Sequence, residues 1–156
     1  MIPMSYDLMV FQPDAAPANH SDFLRWYLEL VKWGEGHSYD DPAITTPQLR
    51  AWFFEMSEQF PPLNGPFSKK DLPDDESTAT DYSIGRSAIY ACFAWSKVEP
   101  AYQNMFDLAA KHKLGFFNVS SDQEEVWLPV EAKMALTHQK MPPTLFNKLA
   151  RLFKRE

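Results

Sequence analysis

Between Ser87 and Trp95, Ile89, Ala91, Phe93 and Trp95 alternate with Ala88, Tyr90, Cys92 and Ala94. Both faces of an extended chain would therefore be apolar, which places this segment at the centre of a sheet rather than at its edge. Tyr6 to Phe11, bounded by Pro3 and by Gln12-Pro13, reads as a second apolar strand. A chain of 156 residues is long enough for one domain with its own core and too short for two of common size. Its 12 Phe, six Tyr and five Trp supply bulky material for that core and exclude a wholly disordered chain.

Helical periodicity appears three times in the remainder. Phe23, Trp26, Tyr27, Leu30 and Val31 share one face, with Asn19 or Ser21 as cap and Gly34 near the end. Thr46 as N-cap and Pro47 as first helical residue open a second helix through Leu49, Trp52, Phe53, Met56 and Phe60, which Pro61-Pro62 stops. Ser96-Lys97-Val98-Glu99 fits a capping box for a third, running through Ala101, Tyr102, Met105, Leu108 and Ala109. Gly115 would supply its left-handed closing residue.

Asp81 to Ile84 reads as a short strand, with Gly85-Arg86 as a turn into the segment from Ser87. Phe116 to Val119 and Glu125 to Leu128 flank Ser120 to Gln123 as a hairpin. Residues 61 to 79 read as a long exposed loop, and 129 to 143 as irregular. A last helix from about Thr144 would carry Leu145, Phe146, Leu149, Leu152 and Phe153 on one face and Lys148, Arg151, Lys154 and Arg155 opposite.

The element order points to an α+β single domain. Its expected plan is a ferredoxin-like β-α-β-β-α-β core with a split first helix, an extra C-terminal strand and a C-terminal helix. Residues 1 to 130 would form the core domain, with 19 acids against nine bases. Residues 131 to 156 would form a basic tail, with two acids against six bases. The overall charge of −6 argues against non-specific attraction to nucleic acid. The basic tail helix would bind a membrane weakly without a second anchor. The N-terminal residues show no basic region followed by a long apolar run, and the single cysteine, Cys92, suits a reducing cytoplasm.

Candidate chemistry concentrates in two acidic loops. Glu35, His37, Tyr39, Asp40 and Asp41 offer an aromatic anchor ringed by negative charge. Asp71, Asp74, Asp75, Glu76 and Asp81 form a second acidic group, whose adjacent acids lack the alternating ligands and glycine of a calcium loop. No catalytic triad, metal-ligand spacing, dinucleotide fingerprint or phosphate loop is present, so neither a catalytic residue nor a metal or cofactor is expected. Cys92, in an apolar strand, reads as an inert thiol.

Ser5 to Phe11, Thr46 to Phe53, Phe60 to Pro66, Asp81 to Gly85 and Gly115 to Ser120 resemble a family of small, uncharacterised bacterial proteins associated with toxin-immunity loci. The resemblance covers about residues 5 to 128. It implies an immunity protein that binds and neutralises one secreted bacterial toxin. The residue-level reading converges on a binding protein whose acidic loops occlude a basic active site, acting in the cytoplasm as a monomer or homodimer. Two alternatives remain open: a small hydrolase built on His37 with Asp40 or Asp41, and a self-associating structural protein.

Overall fold

A computed structural model describes residues 4–69, 71 and 73–140. The chain begins with β1 (Tyr6–Phe11) and α1 (His20–Leu30), followed by α2 (Pro47–Gln59). β2 (Asp81–Ile84) and β3 (Ala88–Phe93) form a hairpin that leads into α3 (Val98–Lys111). β4 (Gly115–Phe117), β5 (Val126–Val130) and β6 (Lys133–His138) follow. Short 3-10 turns at Pro13–Ala15, Pro42–Ile44, Glu76–Thr78 and Trp95–Lys97 join these elements. The expected C-terminal helix lies outside the described residues.

The six strands make one sheet in the order β2-β3-β1-β4-β5-β6, antiparallel throughout. The two segments whose faces are both apolar, β1 and β3, occupy interior positions as their composition requires. Leu8 and Val10 of β1 join a core with Leu49, Trp52, Phe53 and Met56 of α2 and Ala101, Met105 and Ala109 of α3. Met9 and Phe11, pointing the other way, pack with Phe23, Trp26 and Tyr27 of α1. The two helices expected as halves of one split helix therefore lie on opposite faces of the sheet. Periodicity identifies the buried stripe of a helix and carries no information about which side of a sheet receives it.

Local signals at the helix starts are resolved individually. Asn19 caps α1 by accepting from Asp22 N–H at 3.2 Å, and Thr46 caps α2 by accepting from Leu49 N–H at 3.2 Å. The capping box at Ser96 does not form. A 3-10 turn occupies Trp95–Lys97, Lys97 becomes the N-cap, and no side chain caps α3. α3 is held instead through its end, where Lys111 Nζ and His112 Nε2 meet the Glu55 carboxylate of α2 at 2.9 and 2.8 Å.

Two further expectations change. Residues 129 to 138 are not irregular: β5 continues to Val130 and turns through Glu131 and Ala132 into β6. Pro129 is tolerated because β4 pairs only as far as Trp127, leaving Pro129 with a neighbouring strand on one side. Because β6 belongs to the sheet, a division at residue 130 would cut a hairpin. Gly115 is also not the residue that closes α3; Lys113 takes the left-handed conformation, with φ 58°. Gly115 is in β4, where an added Cβ would lie 2.3 Å from the Phe11 ring. The glycine makes room for an aromatic ring in the core.

Gly115→Ala should therefore destabilise the protein by about 1–3 kcal/mol through overpacking. Adding Phe11→Leu should recover part of the loss, read as urea midpoints of the two variants. An alanine variant as stable as the parent would show that the ring yields freely.

Candidate partner-binding site

β2 lies at one edge of the sheet, and two loops are fastened along it by backbone hydrogen bonds. Thr80 N–H donates to Pro61 O at 2.8 Å, Leu63 N–H to Thr80 O at 2.9 Å, and Ile84 N–H to Tyr39 O at 2.7 Å. Gly65 joins the two loops: it has φ +92°, and a Cβ there would lie 2.2 Å from the Asp40 carbonyl oxygen. Only glycine combines that backbone with so close an approach. Asp40 and Asp41 thus stand near the Ile84 end of the edge, and Asp81 begins the strand at the other, just after the loop carrying Asp71, Asp74, Asp75 and Glu76.

Apolar side chains accompany these acids on the same loops and on α2. Leu63 is 48% exposed, Phe67 47%, Phe54 40% and Ile44 36%. The rings of Phe54 and Phe67 meet edge to face, 4.9 Å between centroids. With Asp41, Pro42, Ala43 and Arg50 they line an open groove of about 340 Å³. Arg50 is held in place there, its guanidinium donating to the carbonyls of Pro42, Ala43 and Thr45 at 2.9–3.1 Å.

The sequence-derived residues divide into builders and free carboxylates. Glu35 N–H donates to the Tyr39 hydroxyl at 2.7 Å, while the Glu35 carboxylate accepts from His37 Nε2 at 2.6 Å and from Arg86 N–H at 3.0 Å. Tyr39 packs between Trp33 and His37. These three residues shape the loop and fasten it to the β2–β3 turn. Tyr39 is half-buried, whereas Phe54 and Phe67 are exposed on this edge.

Asp41 caps the Pro42–Ile44 turn through Ala43 N–H at 2.9 Å. Asp75 caps Glu76–Thr78 through Ser77 and meets Lys97 Nζ at 2.7 Å. The Lys97 contact, reinforced by Ser77, lowers the Asp75 carboxyl pKa to about 2. The side chains of Asp40, Asp71, Asp74, Glu76 and Asp81 make no hydrogen bond or ion pair among the described residues, and the last four are exposed.

No family model, curated protein or solved structure matches the chain.

Other chemistry can be read directly from the residues. His37 pairs with the Glu35 carboxylate at 2.6 Å and with Ser38 O at 2.7 Å, and forms no hydrogen bond with Asp40 or Asp41. Cys92 is half-buried, and burial together with nearby Asp7 pushes its thiol up to about 12, so it stays protonated at neutral pH. Among the described residues no group of three His, Cys, Asp or Glu could hold a metal ion, and no helix is long and apolar enough to cross a membrane.

Sequence reading missed Phe54: Trp52, Phe53 and Phe54 are consecutive, and three successive helix residues span more of the circumference than one buried stripe, so one of the three rings turns outward.

The Ser38 carbonyl, followed by Glu35, raises the His37 pKa, because only the imidazolium can donate from both ring nitrogens. A raised folded-state value means that stability from this loop is fully present below about pH 6.5 and is lost as pH rises through the folded value. His37→Gln should therefore lower the urea midpoint more at pH 5.5 than at pH 9. An equal loss at both would refute the assignment.

Proposed function

We propose that this chain is a non-catalytic binding protein of the immunity type, which neutralises a secreted bacterial toxin by covering its basic active site with the β2 edge. The observation that carries the reading is the joining of both acidic loops along one strand, together with exposed Phe54, Phe67 and Leu63. Aromatic anchors surrounded by charge are the usual composition of a protein-binding surface. Unpaired carboxylates speed encounter with a cationic partner and reject an anionic one. Asp40, Asp71, Asp74, Glu76 and Asp81 would face toxin lysines and arginines, with Asp41 at the groove. Glu35, His37, Tyr39 and Asp75 would hold the loops in shape. The complex would form in the cytoplasm and would need neither nucleic acid nor membrane.

The same reading extends to the scaffold, which we take as ferredoxin-like over β1 to β4. In support, the order β2-β3-β1-β4 keeps the first and third strands inside, and α2 and α3 share one face. α1, β5 and β6 would be additions to that core.

The test is an affinity capture from the native cells, with the tagged parent beside two variants, Asp40→Asn/Asp74→Asn/Glu76→Gln/Asp81→Asn and Phe54→Ser/Phe67→Ser. One stoichiometric partner should be retained by the parent. Each variant should bind it at least about tenfold more weakly, a loss of about 1.4 kcal/mol. The carboxylate variant should also show a smaller dependence of association rate on salt. Full affinity in both variants would remove this edge from consideration.

A further inference from the structure

At the seam between α1 and β6, two histidines from distant parts of the chain meet. His20 is the first residue of α1 and His138 the last of β6, and their Nδ1 atoms are 2.7 Å apart. The rings lie edge to face with centroids 4.9 Å apart. A nitrogen-to-nitrogen contact this short is a hydrogen bond, so one Nδ1 carries the proton and the other must present its lone pair. The accepting ring is therefore neutral. The pair holds together with no added proton or with one, but two added protons set two N–H groups against each other.

The surroundings do little to accommodate a second charge. Glu124, from the loop between β4 and β5, stands 3.6 Å from His20 Nε2, which is buried and has no hydrogen-bond partner. Phe23 packs its ring against His138 at 5.2 Å. No hydrogen bond or ion pair from another charged side chain among the described residues reaches either ring. Behind the pair, Phe11, Phe23, Val126, Leu128 and His138 line an apolar cavity of about 100 Å³ under the 13–18 loop.

We propose that His20 and His138 form an acid-sensitive latch, whose double protonation parts the end of β6 from α1 and opens the apolar cavity behind it. Burial, and then the charge of His20, hold the His138 imidazole below its ordinary pKa. A lowered histidine value means that the unfolded or opened chain binds more protons than the closed one. The latch is accordingly firm above about pH 6.5 and loosens as pH falls below it. This is opposite in sign to the contribution of His37. The segment that loosens includes the last bond of the hairpin, Lys140 N–H to Gln123 O at 2.8 Å.

The experiment uses the full chain and two readouts: nitrogen-15 spectra of the histidine rings, and amide exchange corrected for the intrinsic effect of pH. Between pH 7.5 and pH 5, protection at His138 and Lys140 should fall at least tenfold while β1 stays protected. The ring spectra should show the second protonation in the same pH interval. His20→Gln and His138→Gln each remove one of the two opposed ring N–H groups and should flatten the change. Undiminished seam protection at pH 5 with both rings doubly protonated would overturn the latch, even without the variants. So would a pH response that survives intact in either glutamine variant.

Discussion

The structure depends on β1 being buried from both sides. Leu8, Met9, Val10 and Phe11 are inaccessible to solvent, with β3 along one edge of the strand and β4 along part of the other. Alternate residues feed two separate cores, so one strand commits α1 to one face and α2 with α3 to the opposite face. Polarity alone cannot set the register here, because a one-residue slip would exchange one apolar pair for another. Two shape- and charge-specific pairings do so instead. Gly115 stands opposite Phe11 and receives its ring. Asp7 accepts from the hydroxyls of Tyr90 and Ser5, which fixes the polar start of the strand on the α1 side.

From that centre the sheet extends unequally. On one side lie β4, β5 and β6, closed against α1 by the histidine contact. On the other, β2 is only four residues long and is covered by loops rather than by another strand. A sheet edge left bare would invite indiscriminate pairing, and covering it with fastened loops is one of the ordinary remedies. Here the cover also concentrates negative charge: it carries Asp40, Asp41, Asp71, Asp74, Asp75 and Glu76, and among the described residues only Asp75 of these meets a cation, Lys97.

Signals contained within a few residues were legible, and those requiring a partner were not. Thr46-Pro47 marks the start of α2 because a cap and a proline act on their own helix turn. The double-faced pattern of residues 88 to 93 marks an interior strand because burial on both sides leaves no polar positions. By contrast, β6 was hidden by Pro129 and by a turn lacking glycine; it exists because β5 offers it an edge. Gly115 carries no mark distinguishing a helix stop from a space for Phe11. The acidic loops were visible as composition, but their meeting depends on backbone contacts from Tyr39, Pro61, Leu63 and Gly65 to residues far along the chain. Tyr39 and Phe54 show the same limit: an aromatic in a loop turned inward, and one on a helix turned out.

The way the loops are fastened to β2 has a bearing on divergence. Their attachments, Thr80 to Pro61, Leu63 to Thr80 and Ile84 to Tyr39, are made by main-chain atoms, which are the same whatever side chain a residue carries. Most of the outward side chains on this edge are therefore independent of what holds it in place. Substitutions could rewrite the charges and apolar contacts residue by residue while the frame that displays them stayed still.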